Sequence, residues 1–272
     1  MGQADVRHDE VTDRLTFHVG GEERLFERAR RCAQPSELVV ASAELHRRNV
    51  QRRLREQNQS KEAFVFDDPK GVSRELLAAA GESSNAIDRI DRLALIRSVL
   101  ADATDRESHS ISLPPGMRSH APDHVEQIRT EVEAITNYHP ERVTAWRRTA
   151  GDLYAPIDAE ATELLTLACD VERELREQTP KAISEIDLIR QATQTLVATN
   201  GTAWTDAFPS LERVTLLGLS SLSAPHADLL HALAATTPVT VDVHFRNATG
   251  AYLQTRAAAL LDIDTPGEVM FE

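Results

Sequence analysis

The sequence predicts an α/β protein: a parallel, P-loop-like three-layer sheet interrupted by an all-helical insertion. Three observations carry this. Short continuous apolar runs, such as ELVVA at 37–41 and AFVF at 63–66, alternate with helical patterns towards both ends of the chain, as strands covered on both faces do. Between about 105 and 202 the pattern is purely helical. Finally, an apolar run reaches Gly20-Gly21 and opens straight into a helix, the layout of an anion-binding turn.

In chain order, residues 1–14 are polar and acidic, unlike a secretory or transit signal, and read as a disordered lead. Strand Leu15–Val19 leads to helix Glu22–Cys32, a turn at Gln34-Pro35-Ser36, strand Glu37–Ala41 and helix Ala43–Gln57. Strand Ala63–Phe66 is followed by a turn at Pro69-Lys70-Gly71, with Asp68 or Ser73 as cap, and by helix Val72–Ala80. Ser83-Ser84-Asn85 can cap helix Ala86–Ala101, whose Ile87, Ile90, Leu93, Leu95, Ile96 and Val99 form a broad apolar stripe. Residues 104–122, broken by Pro114-Pro115-Gly116, read as a loop. Helices Asp123–Asn137, Pro140–Ala150, Asp158–Gln178 and Ile183–Ala198 follow, closed by Asn200-Gly201. The sheet pattern returns as strand Arg213–Leu217, helix Pro225–Ala235 capped by Ser223, strand Val239–Phe245 and a helix near Tyr252–Leu261. The expected organisation is a lead at 1–14, an α/β domain of 15–104 and 203–272, and a helical insertion at 105–202.

Composition narrows the function classes. The 272 residues suffice for one large or two modest domains, and no apolar run reaches the length of a membrane span. Cys32 and Cys169 stand alone without metal-like spacing and read as small buried hydrophobes. Net charge is −13, and lysine occurs only at Lys61, Lys70 and Lys181. Such an acidic, arginine-rich chain fits a GC-rich, salt-adapted source, where a Debye length of about 3 Å at molar salt would screen repulsion from DNA.

The motifs are most informative for what they lack. A phosphate loop needs G-x-x-x-x-G-K-[ST], with glycine amides and a lysine around the phosphates and a hydroxyl on Mg²⁺. Here Gly20 and Gly21 are followed by Glu22 and Glu23, which repel a triphosphate. Phe64-Val65-Phe66-Asp67-Asp68 has the form of a Walker B strand, but without its lysine-bearing partner it also suits an ordinary strand-to-helix turn. Arg48, Arg52 and Arg55 share a face of helix Ala43–Gln57, opposite Val50 and Leu54. They are candidate phosphate contacts for a nucleic-acid strand, against the plainer reading of a solvated face partly neutralised by Glu44 and Glu56. His120 and His124 are four apart but straddle Pro122, so no metal site is expected. His226, His231 and His244 do not converge, the G-x-S-x-G elbow is absent around Ser220–Ser223, and Trp146 and Trp204 read as core rather than base-stacking residues.

In order, these pieces resemble the AddB-type subunit of bacterial helicase–nuclease recombination complexes and its archaeal relatives. Four segments carry the likeness: Phe17-His18-Val19-Gly20-Gly21; Glu37–Ala41 with its arginine-bearing helix; Ala63–Phe66 with the helix around Arg89–Arg97; and Val214–Leu219, then Pro225–Leu233, then Val239-Thr240-Val241. The resemblance implies a superfamily 1 helicase-like motor half with a reduced ATPase, the apolar strand ending at Leu217-Gly218-Leu219 standing where a Walker B strand has degenerated. It also implies that 105–202 is the insertion such motors carry. A second motor domain and a nuclease do not begin before Glu272, so the chain reads as a fragment, a truncated product or a free-standing relic.

The function expected is therefore a non-catalytic helicase-like domain in DNA double-strand-break processing, cytoplasmic, with no cofactor and no membrane contact. Its expected partners are DNA, single-stranded DNA included, and a superfamily 1 helicase. The alternatives are an active NTPase with an unusual phosphate loop, using Asp67 or Asp68, and a pure protein-interaction domain.

Overall fold

The computed structural model describes residues 14–31, 35–105, 111, 121–219 and 221–271. The lead at 1–13, Cys32, Gln34, His120, Ser220 and most of the 104–122 segment lie outside them. The described residues fall into two compact units, one of 1–84 with 189–266 and one of 85–188 with 267–272.

The first unit is built on strands β1 (Leu15–Val19), β2 (Glu37–Val40), β3 (Val65–Asp67), β4 (Arg213–Leu219) and β5 (Thr240–Phe245). They form one sheet in the order β1-β5-β4-β2-β3, every pairing parallel. Parallel pairing requires crossovers, and the helices supply them. Helices α1 (Glu23–Arg31) and α2 (Glu44–Glu56) cover one face. There Leu25, Phe26, Val50 and Leu54 meet Val39 and Leu217 in a buried cluster. Helix α3 (Pro69–Ala79) and a later helix over Ala224–Thr236 cover the other, closing on Val40, Val214 and Leu216. That alternation of Val39 and Val40 is the two-residue period of a strand buried on both sides.

Several boundaries move for local reasons. The helix after β3 starts at Pro69, three residues earlier than its apolar pattern suggests, because proline fits the first helical position and Asp68 caps it. Ser73 donates to the Pro69 carbonyl instead. Lys61–Ala63 forms a 3₁₀ turn capped by Ser60, which shortens the expected strand to Val65–Asp67.

The second unit holds helices α4 (Arg89–Asp105), α5 (Pro122–Thr136), α6 (Pro140–Gly151) and α7 (Ile157–Gln178). Helix α4, expected within the α/β domain of 15–104, clusters instead with this unit, where Ile96 and Leu100 pack on Val125, Leu167 and Val171. Its stripe is wider than its buried face: Ile90 is exposed. The chain's last residues join this unit too, Met270 N–H bonding the Tyr138 carbonyl at 3.1 Å and the Phe271 ring packing tilted against Tyr138. The unit boundary falls inside α8 (Glu185–Ala198). The remaining helices, α9 (Thr202–Ala207), α10 (Ala224–Thr236) and α11 (Asn247–Leu261), belong to the first unit. Helix α9 has no counterpart among the elements expected from sequence; its Trp204 is buried there.

Candidate functional site

In an open parallel sheet ligands bind beyond the carboxyl ends of the strands. That edge carries Gly20-Gly21 after β1, Asp67-Asp68 closing β3 and Gly218 near the end of β4. Gly20 takes φ +140° and its N–H bonds the Phe245 carbonyl at 3.2 Å, so the turn is anchored to β5. The Glu23 carboxylate folds back over Gly21, filling the space a side chain there would need.

Glu22 is held from the other side. Its carboxylate lies 2.8 Å from His46 Nε2 and accepts from Arg53 Nη1 at 3.0 Å. Burial alone would raise the pKa of this carboxyl, but His46 and Arg53 hold it below its ordinary value. The two side chains reach one target because seven residues of α2 are close to two turns. His46 also lies against Gly218, where φ is +69° and any Cβ would strike the imidazole. The β4–β5 register shifts between Leu216 and Leu219, a bulge beside this contact.

The acids after β3 serve a different end. Asp68 accepts from Gly71 N–H at 2.9 Å as a helix cap and from Arg47 Nη1 at 2.9 Å, while Arg47 also donates to the Ala41 carbonyl. Asp67 accepts from Asp68 N–H and, chiefly through burial, has its pKa raised. Because β1 and β3 are opposite edges of a five-stranded sheet, Asp67 and Asp68 stand four strand spacings from Gly20-Gly21, about 19 Å. A phosphate on the turn and a Mg²⁺ on these acids would not share a site. No His/Cys/Asp/Glu cluster able to hold a metal occurs among the described residues.

Arg48, Arg52 and Arg55 lie on the exposed side of α2, as their spacing predicts, with Val50 and Leu54 buried opposite. Arg48 pairs with Glu44, Arg52 lies 3.7 Å from Glu56, and Arg55 donates to the Gln51 carbonyl. Such exposed i,i+4 pairs contribute about 0.3–0.5 kcal/mol and open readily. The arginines of this helix thus divide into an outward ridge and two that reach back to acids, the part-buried Arg47 to Asp68 and the half-exposed Arg53 to Glu22, which the spacing of the ridge does not single out. For Arg47 a signal is present: it falls on the same helical face as Val50 and Leu54.

A second polar network lies beneath α1. Arg28 binds Glu37 through two hydrogen bonds of 2.8 and 2.7 Å, and Thr215 donates to the same carboxylate at 2.6 Å. Asp242 accepts from Arg213 at 2.7 Å and faces His18 Nε2 at 3.3 Å, and Arg24 donates to His18 Nδ1. His244, paired in register with His18, is buried, and burial followed by His18 pushes its imidazole down to about 4. Four strands and a helix are cross-tied, which makes this a structural set. Ser223 sits at the cap position of α10, but its hydroxyl bonds His226 Nδ1 at 2.7 Å rather than a backbone N–H. Cys169 is buried, and burial raises its thiol to about 11. Trp146 donates to the Ala161 carbonyl at 3.1 Å.

The first unit, a parallel sheet flanked by helices with a glycine turn after its first strand, has a P-loop-like α/β fold. The chain belongs to the family of halobacterial UvrD-like proteins, whose model matches residues 1–272. No curated protein matches it. No helix among the described residues is long and apolar enough to cross a membrane.

Proposed function

We propose that the chain is a catalytically silent helicase-like domain of a DNA double-strand-break processing system of the AddB type. It acts in the cytoplasm as a strand-binding module or scaffold beside an active superfamily 1 motor. One observation carries this reading: the glycine turn is filled by the chain's own carboxylates, Glu23 over Gly21 and Glu22 fixed by His46 and Arg53. A triphosphate would meet two negative charges and no lysine there. The separation of about 19 Å for Asp67 and Asp68, and the use of Asp68 as a cap, count against an NTPase built on those acids. UvrD-like membership supports a DNA partner, and the exposed Arg48, Arg52 and Arg55 are the phosphate contacts we assign.

Two assays on the purified chain test it. No phosphate release from Mg-ATP above a protein-free control is expected; hydrolysis that a Gly21→Trp change abolishes would overturn the silent assignment. Filter binding to single-stranded DNA, at low salt and in molar KCl, should show a salt-sensitive affinity. Changing Arg48, Arg52 and Arg55 together to Ala should lower the salt slope by about 2. An unchanged affinity and slope would remove α2 from the interface.

A further inference from the structure

The cationic surface of the first unit does not end with the ridge on α2. Helices α1 and α2, which cover one face of the sheet, carry nine arginines against four glutamates, a net +5. The chain as a whole stands at −13. On the other face, α3 and α10 carry two basic and two acidic residues and are neutral. A polyanion is therefore drawn to one side of this sheet.

Gln59 joins the C-terminal ends of α1 and α2. Its side-chain amide donates to the Phe26 carbonyl at 3.1 Å and accepts from Arg30 Nε at 2.9 Å. Its N–H bonds the Leu54 carbonyl at 2.8 Å, so the amide is fixed to the end of α2. Arg30 is thereby held by Nε, which leaves its Nη pair for a phosphate. Arg31 follows it, Lys61 lies two residues beyond Gln59, and all three cations are exposed.

The acids nearest to them in sequence are Glu27, Glu56 and Glu62. Glu56 lies 3.7 Å from Arg52, and among the described residues no carboxylate pairs with Arg30, Arg31 or Lys61. The ridge differs in this respect. Arg48 and Arg52 must release Glu44 and Glu56 before meeting a phosphate, whereas the three cations at the joint displace only water and counterions. The helix dipole favours a cation in each last turn, but it does not call for Lys61, which lies beyond α2. The one aromatic residue of α1 and α2, Phe26, is buried in the core beneath them, so bases have no ring to stack on there.

We propose that a DNA strand runs along the α2 ridge and round this joint, held by Arg30, Arg31 and Lys61 through its phosphates alone. The bases face away from the protein. This track rests on the reading that the chain binds DNA, and it assigns the firmest contacts and a backbone-only mode.

Fluorescence anisotropy on the full chain tests it, with labelled oligo-dT and an abasic strand of the same length titrated across a KCl series. Changing Arg30, Arg31 and Lys61 together to Ala should weaken binding roughly tenfold or more at low salt and lower the salt slope by about 2. That loss of affinity should exceed the loss on changing Arg48, Arg52 and Arg55. Arg31→Ala with Lys61→Ala, which leaves the Gln59–Arg30 bond intact, should lower the slope by about 1.4. The abasic strand should bind within about twofold of oligo-dT. Affinity and slope unchanged in the triple variant, while the ridge variant still weakens binding, would overturn this track and leave the DNA reading standing. A native chain without salt-sensitive binding would remove both. An abasic strand bound about tenfold more weakly than oligo-dT would overturn the backbone-only mode.

Discussion

Arg53 Nη1 donates to Glu22 Oε2 at 3.0 Å, tying helix α2 to the turn after β1 across 31 positions of sequence. His46 approaches the same carboxylate at 2.8 Å. The turn that would cradle phosphate in a motor protein is therefore a structural joint.

Replacing Glu22 with Gln should loosen that joint. Arg53 is half exposed, so the loss is modest, about 1 kcal/mol, read as a lower urea midpoint. The sign with pH follows from the direction of the shift. The folded carboxyl titrates below its ordinary 4.5, so the pair's contribution is present above that value and is lost as pH falls through the folded pKa. The gap between the native chain and Glu22→Gln should therefore close in acid; a gap that persists would mean the carboxylate's charge is not what matters.

Asp68 offers a sharper test of its role. Asp68→Ala should cost about 1–2 kcal/mol by removing the cap of α3, and Asp68→Asn less, since the amide oxygen can still accept from Gly71. Paired with Arg47→Met in a double-mutant cycle, Asp68→Ala should show a coupling of about 0.5–1 kcal/mol. Isothermal titration of Mg²⁺ should look alike for all of these proteins; a heat of binding lost in Asp68→Asn would restore the acid to a metal site.

Strand β2 is readable because burial on both faces forces an uninterrupted apolar run, ELVVA, whereas VTVDVHF shows as a strand by its two-residue alternation, with Asp242 and His244 turned to the polar set beneath α1. The long helices are readable from their stripes. What stays hidden depends on sheet order. No local pattern reveals that β1 and β3 lie at opposite edges, and only that order separates Gly20-Gly21 from Asp67-Asp68. Likewise the spacing of Arg48, Arg52 and Arg55 gives their exposed face, but that His46 and Arg53 meet Glu22 depends on how α2 lies over the sheet.

Gly218 should tolerate no side chain. Alanine there must hold φ near +69° and press on the His46 ring, together about 2 kcal/mol. With Trp146→Phe, fluorescence of the buried Trp204 reports this unit alone. His46→Ala should return part of the loss by clearing the space, and equal losses with and without the ring would leave backbone strain as the sole cause.

Two imidazoles set the stability profile near neutrality. Burial holds His226, and burial with His18 holds His244, each at about 4, whereas an unfolded histidine titrates at its ordinary 6.5. Between those limits the unfolded chain binds more protons, so stability is full above about 6.5 and declines as pH falls towards about 4. His244→Phe should flatten that decline when melting temperature is followed from neutral to acid; a slope as steep as the native one would exclude His244 as its source.

The largest single loss is expected in the helical unit. Arg129 is 1 % exposed and gives two hydrogen bonds to Glu126, at 2.8 and 3.4 Å, and one to Glu172 at 2.7 Å, with Glu133 at 3.3 Å. Its backbone carbonyl accepts from the Tyr138 hydroxyl at 3.0 Å, so side chain and main chain are both engaged. Removing the guanidinium takes the shared cation from these buried carboxylates, of which Arg92 also pairs with Glu126 and Arg176 with Glu172. Breaking such a set from one side costs about 3–5 kcal/mol, because uncompensated charge stays behind. Arg129→Met should therefore unfold this unit early, seen by Trp146 fluorescence in a Trp204→Phe background. Arg129→Lys should recover less than half of the loss, since one ammonium cannot fork to carboxylates on two helices. A lysine variant as stable as the native chain would show that net charge alone holds α5 to α7.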